Sequence, residues 1–305
     1  MNFTAKDVQT LRERTGVGMM DCKKALTEAN GDMDKAIEVL REKGLAKQAK
    51  KAGRIASEGI VYALVDEAAK TAVMIEVNAE TDFVAKNEKF VNFAADCAKT
   101  VLACNPADVD ALLECKIPGT DNTVADALRG MVLVIGENIK VRRFVKHDGI
   151  ACDYIHGGGR IGVLAFFEAD DAIVAKAEFK AMAKDIAMQV AASLPQYLDP
   201  ASVPAEIIDK EKEILLAQAM NEGKPANIAE KMVAGRIKKF YQENCLVDQA
   251  FIKDPDMSVS KYVAETCKAL GGDVKVTGFV RYERGEGLEK RQDNFAEEVM
   301  SQMQK

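Results

Sequence analysis

EVNAETDFVAKNEKF, residues 76–90, holds the change of structure on which the fold turns. Ahead of it and into it, Val73, Ile75 and Val77 alternate as strand residues, and the strand ends at Glu80-Thr81. A helical pattern starts after Asp82-Phe83-Val84. Rigid elements present such corners at the surface, yet this one carries an aromatic. Phe83 stands seven residues before Phe90, so it could share one helix face with it. The corner is then either the first core position of the helix or a wedge aimed at something else.

Working outward, the chain repeats itself. Ala85-Lys86-Asn87-Glu88-Lys89-Phe90 matches Val174-Ala175-Lys176-Ala177-Glu178-Phe179 at an offset of 89. The helices that follow agree position by position: Phe93, Ala94, Cys97, Ala98 and Val101 pair with Met182, Ala183, Ile186, Ala187 and Val190. Each set has the spacing of one buried helix face. The preceding strands repeat as hairpins, residues 59–65 with 71–77 and 149–155 with 161–167, the second turning on Gly157-Gly158-Gly159. Ile135-Gly136-Glu137-Asn138-Ile139-Lys140-Val141 matches residues 270–276, but at an offset of 135. Each copy therefore reads strand, strand, helix, helix, strand. That order predicts an α+β fold, a duplicated core of three-stranded antiparallel sheets covered by helices.

The offset grows by 46, so the second copy carries an insertion, placed at residues 201–246. Two helical patterns with Gly223-Lys224-Pro225 between them predict an antiparallel hairpin that pairs with itself. The copies also supply an internal control for the corner. Thr81-Asp82-Phe83-Val84 corresponds to Asp170-Asp171-Ala172-Ile173. Asp is kept, as a helix N-cap would require, but Phe becomes Ala. The repeat can be built without the aromatic, which favours a partner contact for Phe83.

Ahead of the repeats, residues 3–47 read as three short helices. The first two join at the turn Thr15-Gly16-Val17-Gly18, and Gly44 closes the third. So small a unit suits a docking module and resembles ubiquitin-associated three-helix domains. Residues 41–54 carry six basic residues and one acidic, either a solvated helix end or a contact for RNA or an acidic partner. After Gly285-Glu286-Gly287, a helical pattern over 294–303 predicts a C-terminal helical module. The expected boundaries are 1–55 for the first module with its linker, 56–146 and 147–283 for the two core copies, and 284–305 for the last.

Composition excludes much. The net charge is −6, so bulk attraction to nucleic acid is not the theme. No apolar run spans a bilayer and no apolar leader precedes the first module, which predicts a cytoplasmic protein without membrane contact. The seven cysteines form no C-x-x-C pair and read as buried free thiols in a reducing compartment. No catalytic set, metal site or cofactor site can be assembled. The two histidines, His147 and His156, find no partner, and the glycine run at 157–159 joins two strands where a phosphate site would open a helix. A binding or regulatory protein is expected, with no direct small-molecule substrate. The competing expectation is an adaptor for RNA or a peptide.

Two stretches, LRERTGVGMMDCKKAL at 11–26 and EVNAETDFVAK at 76–86, resemble the signatures of the elongation factor Ts family, and the resemblance runs the length of the chain. It implies guanine nucleotide exchange on elongation factor Tu. By that resemblance Thr81, Asp82, Phe83 and Val84 match the loop that enters the GTPase domain and disturbs its magnesium site. Ile135-Gly136 resembles a second contact on the nucleotide side. His156-Gly157 matches a position facing another domain of the partner. The first module, with Val17, Gly18, Met19 and Met20 in its signature turn, would dock on the GTPase domain. A homodimer through the core or the inserted hairpin is a further candidate.

Overall fold

The structure is a computed structural model that describes residues 3–223 and 225–290. Three helices come first: α1 (Ala5–Thr15), α2 (Met19–Glu28) and α3 (Met33–Lys51). Thr4 and Asp7 cap α1 reciprocally, and Asp32 caps α3. Val8, Leu11, Cys22, Leu26, Ala36 and Leu40 form their small shared core. Gly44 does not end α3 as expected. The helix runs on to Lys51, with Gly44 in its interior beside the Arg129 backbone. The basic stretch is largely spent on the protein itself: Lys43 pairs with Glu28, Lys47 with Asp21 and Arg54 with Glu80, while Arg41 bonds Asn122.

The first copy follows as β1 (Glu58–Asp66), β2 (Thr71–Ala79), α4 (Asp82–Ala85), α5 (Glu88–Cys104), α6 (Val109–Glu114), α7 (Val124–Ile135) and β3 (Lys140–Asp148). The second runs β4 (Ile150–His156), β5 (Ile161–Ala169), α8 (Asp171–Val174) and α9 (Ala177–Ser193). It then carries the inserted pair α10 (Ala205–Asn221) and α11 (Ala226–Asn244), a short hairpin of β6 (Ala250–Phe251) and β7 (Asp254–Ser258), then α12 (Val259–Leu270) and β8 (Val274–Glu283). The sheets are antiparallel, in the orders β1-β2-β3 and β4-β5-β8. Two copies of one fold are therefore present.

Strand alternation decides how they meet. Val73, Ile75 and Val77 face α5 and α7, whereas Ala72 and Met74 point the other way. In β5, Val163, Ala165 and Phe167 face α9 and α12, while Leu164 and Phe166 point back at Met74 and Val61. The sheets thus pack back to back with helices outside. The central strands are buried on both faces, which is why TAVMIEVNA reads as a near-continuous apolar run. Close approach is enforced at Gly162, where a Cβ would press on Val61 and come within 2.9 Å of Met74 Sδ. Gly162→Ala is expected to cost about 1–3 kcal/mol through overpacking, measured as a lowered urea midpoint with an unchanged slope.

Both copies end their last helix on a left-handed glycine, Gly136 in one and Gly271 in the other, before the final strand. Two expectations need correction. Asp82 and Asp171 are first helical residues, and the N-cap positions are Thr81 and Asp170, neither of which makes a side-chain cap bond. The cysteines are not uniformly buried: Cys22, Cys97 and Cys245 are, Cys104 is exposed, and Cys115, Cys152 and Cys267 are half-buried because they sit at element ends and edges. α10 and α11 pack on each other, over a small base of Val203, Ile208 and Cys245. The helix expected at 294–303 lies outside the described residues. No helix among the described residues is long and apolar enough to cross a membrane.

Candidate functional site

The corner after β2 is built differently in the two copies. β2 starts at Thr71 and β5 at Ile161, 90 residues apart, whereas α4 starts at Asp82 and α8 at Asp171, 89 apart. The first copy therefore holds one extra residue between strand and helix, Glu80. Its carboxylate accepts a bond from the Asn138 amide at 2.6 Å and lies beside Arg54. In return, the Glu137 carboxylate accepts from the backbone amides of Glu80 and Thr81, both at 3.0 Å, and from the Thr81 hydroxyl at 2.7 Å. Thr81 makes no cap bond to α4; its hydroxyl instead donates into this clamp. In the second copy the residue at the Glu137 position is Gly272, so the clamp is absent there.

Held this way, the corner presents Phe83 outward. Its side chain is 81% exposed, so the residue does not fold onto Phe90, which is fully buried. Asp82 is exposed and forms a loose pair with Lys86 at 3.9 Å. Val84 belongs to the core under α5 and fixes the corner from below. An exposed Phe on a backbone tied by three charge-assisted bonds is pre-organised for a hydrophobic contact.

The clamp also joins the corner to Ile135 and Gly136, since Glu137 follows them directly and both are half-exposed. The Lys51 ammonium donates to the Gly136 carbonyl, which fixes the end of α3 to the same place. The turn at Gly16 lies over Val134 and Lys89. Gly18, Met19 and Met20 are exposed beyond that turn, while Val17 is buried beneath it. The signature turn, the end of α7 and the Phe83 corner are thus parts of one connected support. His156 and Gly157 are exposed on the β4–β5 turn, apart from this cluster. That turn rests on β1 through a 2.8 Å bond from the Val61 amide to the Gly159 carbonyl, and Tyr154 Oη lies 3.1 Å from His156 Nδ1.

Behind the corner, Glu76 is fully buried in β2. It accepts bonds from Arg142, Arg143, Asn78 and the Gly285 amide. A bulge in β3 allows consecutive arginines to reach one carboxylate, because the register shifts between Glu76 and Val77. Burial by itself would raise the Glu76 carboxyl, but the four donors outweigh it and hold its pKa below the ordinary carboxylate range. The sequence reading found neither carboxylate role. Glu137 had a visible signal, the Glu-to-Gly difference between the copies. The arginine cluster had none, since a bulge is not legible in residue order. Among the described residues no group of three or more candidate metal ligands comes together.

Glu137→Ala frees the two amides and the Thr81 hydroxyl. If the corner acts as a pre-organised wedge, its productive encounter should fall roughly tenfold, about 1.4 kcal/mol of lost pre-organisation. The fold should survive, because the clamp is only half-buried. Helical circular dichroism and partner binding, measured side by side, check this.

Comparison with known proteins adds sequence evidence. A family model described as Elongation factor TS matches residues 80–286. A relative from Clostridium perfringens (strain SM101 / Type A), named Elongation factor Ts, is 55% identical over 300 residues, covering 97% of this chain and 98% of its own length. A protein of the same name from Clostridium novyi (strain NT) is 53% identical over 306 residues and 98% of both chains. One from Symbiobacterium thermophilum is 51% identical over 305 residues, again 98% of both.

Proposed function

The chain belongs to the elongation factor Ts family, and on that premise we propose that it is the guanine nucleotide exchange factor of elongation factor Tu, acting in the cytoplasm. It binds the GDP-bound GTPase and places the Thr81–Val84 corner against the magnesium and nucleotide site. Asp82 and Phe83 lead that contact, and Val84 and the Glu137 clamp hold them in place. Residues 1–55, read as a module like ubiquitin-associated domains, dock on the same GTPase domain through Gly18, Met19 and Met20, with Val17 shaping the turn from below. Ile135 and Gly136 extend the contact on the nucleotide side, and His156 with Gly157 meets another domain of the partner. The core copies at 56–146 and 147–283, the hairpin at 201–246 and the tail at 284–305 complete the proposed division. A homodimer through the core or hairpin is part of the same reading, and light scattering tests it.

The observation that carries the reading is the outward Phe83 on a clamped corner, present in one copy and replaced by Ala172 in the other. No covalent step is involved. A ligand shifts an equilibrium only by its different affinities for the two states. Binding the nucleotide-free GTPase more tightly therefore weakens GDP by the same factor. Titration calorimetry with nucleotide-free and GDP-bound elongation factor Tu tests this. The expected result is tighter binding to the nucleotide-free form, by the factor through which this protein weakens GDP. Equal affinities for the two forms would overturn the proposal.

A further inference from the structure

We propose that the seam between the two core copies holds a binding site for a medium-chain monocarboxylate, with the alkyl chain in an apolar cavity and the carboxylate on the Lys184 ammonium. The cavity has a volume of about 310 Å³ and lies between the β1–β2 turn of the first copy and β4, α8 and α9 of the second. The buried Phe179 and Ala183 line it together with the half-buried Val65, Ile150, Cys152 and Val174. Burial pushes the Cys152 thiol up to about 11, so it stands there uncharged. The volume is at the lower end of the range of about 300–1,000 Å³ for small-molecule sites, which suits a slim ligand such as a single alkyl chain.

The other hairpin turn shows a closer contact at the same seam. Both turns have four residues, 67–70 between Asp66 and Thr71, and 157–160 between His156 and Ile161. The glycine turn lies directly on β1: the Val61 amide donates to the Gly159 carbonyl at 2.8 Å, and a Cβ at Gly159 would come within 2.9 Å of Ile60. The turn at 67–70 is tied to the second copy by ion pairs. Lys180 of α9 reaches both Glu67 carboxylate oxygens, at 2.8 and 3.0 Å, and Lys70 pairs with Asp171. These pairs are exposed and contribute little to the fold. Lys70 also sits at φ +49°, in the left-handed region that glycine adopts without cost. A lysine there adds charge at the mouth of the cavity at a conformational cost.

Charge selects the head of the ligand. The rim carries Lys70, Lys180 and Lys184 against Asp66 and Glu67. Asp66 accepts the Ala69 amide inside its own turn, and Glu67 is taken by Lys180. Among the described residues Lys184 pairs with no carboxylate. It donates to the Asp153 carbonyl at 2.7 Å, and its Nζ lies 5.3 Å from the centroid of the Tyr154 ring. An ammonium has three donors, so a ligand carboxylate can be added without breaking that bond. The Phe83 corner lies past the other end of β2, about 26 Å along the strand at about 3.3 Å per residue. The site is therefore separate from the proposed wedge.

The test titrates octanoate into the full chain by calorimetry, with octanol as the uncharged chain of equal length. Saturable one-to-one binding of octanoate is expected, with octanol weaker. Lys184→Met should weaken octanoate about tenfold or more through loss of a charge-assisted bond. Ala183→Leu fills the cavity and should abolish binding. Backbone amide NMR on the wild-type chain locates the ligand whether or not that variant folds. The Gly149, Ala151 and Cys152 amides should shift with octanoate, and the Phe83 amide should not. No saturable binding, equal affinity in Lys184→Met and wild type, or octanol binding as tightly as octanoate would overturn the proposal. So would shifts confined to amides elsewhere in the chain.

Discussion

Phe83→Ala slows nucleotide exchange on elongation factor Tu by about 10- to 150-fold, the range that follows from about 1.5–3 kcal/mol for burying one Phe side chain. The thermal melt stays nearly unchanged. Both halves follow from one fact: the side chain is 81% exposed and contributes almost nothing to the folded monomer. Its burial becomes available only against a partner, where a pre-organised aromatic suits a hot spot. The second copy supports the stability half of the prediction, since Ala172 occupies the same corner of a well-packed repeat. Stopped-flow release of a fluorescent GDP analogue measures the first half and circular dichroism the second. A large fall in melting temperature would show that Phe83 serves the core.

Glu76→Ala has the opposite signature. The carboxylate is fully buried among Arg142, Arg143, Asn78 and the Gly285 amide, and it ties β2 and β3 to the turn after β8. Removing it leaves two arginines facing each other without their shared acceptor, which costs about 3–5 kcal/mol when a buried pair is broken. The melt should drop sharply at neutral pH. The pH dependence has a definite sign. The folded pKa of Glu76 is depressed, so its contribution is fully present above the ordinary carboxylate value and is lost as pH falls through the folded value. Glu76→Gln should therefore be much less stable than wild type at neutral pH, with the gap narrowing under acid as the wild-type carboxyl protonates. Urea midpoints at several pH values check this. A gap that is constant with pH would remove the charge from the explanation.

These two residues also mark what the sequence could and could not reveal. The duplicated fold was legible because helix faces announce themselves by local spacing. Phe93, Ala94, Cys97, Ala98 and Val101 repeat as Met182, Ala183, Ile186, Ala187 and Val190, and all ten are buried. Gly136 and Gly271 punctuate both copies at the same point. The outward direction of Phe83 was legible only through comparison with Ala172, because periodicity alone also allowed a core position. What could not be read was long-range polar pairing. Glu137 reaches back 56 residues to Thr81, and Arg142 reaches 66 to Glu76. Nothing local distinguishes those carboxylates from solvating ones. The run of α3 past Gly44 was missed for a related reason: α3 packs along α7, a neighbour distant in sequence, and that packing outweighs the low helix propensity of one glycine.

The same division explains the basic stretch at 41–54. Composition allowed an RNA contact, but Lys43, Lys47 and Arg54 are paired with acids of the protein, Arg41 bonds Asn122 and Lys51 bonds a backbone carbonyl. Few charges there remain to neutralise phosphates, which leaves the corner as the stronger candidate for the contact that matters.

On the proposed function, this chain loosens guanine nucleotide on elongation factor Tu. The direct measurement is the dissociation rate of a fluorescent GDP analogue from elongation factor Tu, with magnesium present, as the full chain is added. A rate that climbs with added chain and saturates, and that climbs far less with Phe83→Ala, is the predicted result. A rate unmoved by the wild-type chain at concentrations where the two proteins demonstrably associate would contradict it.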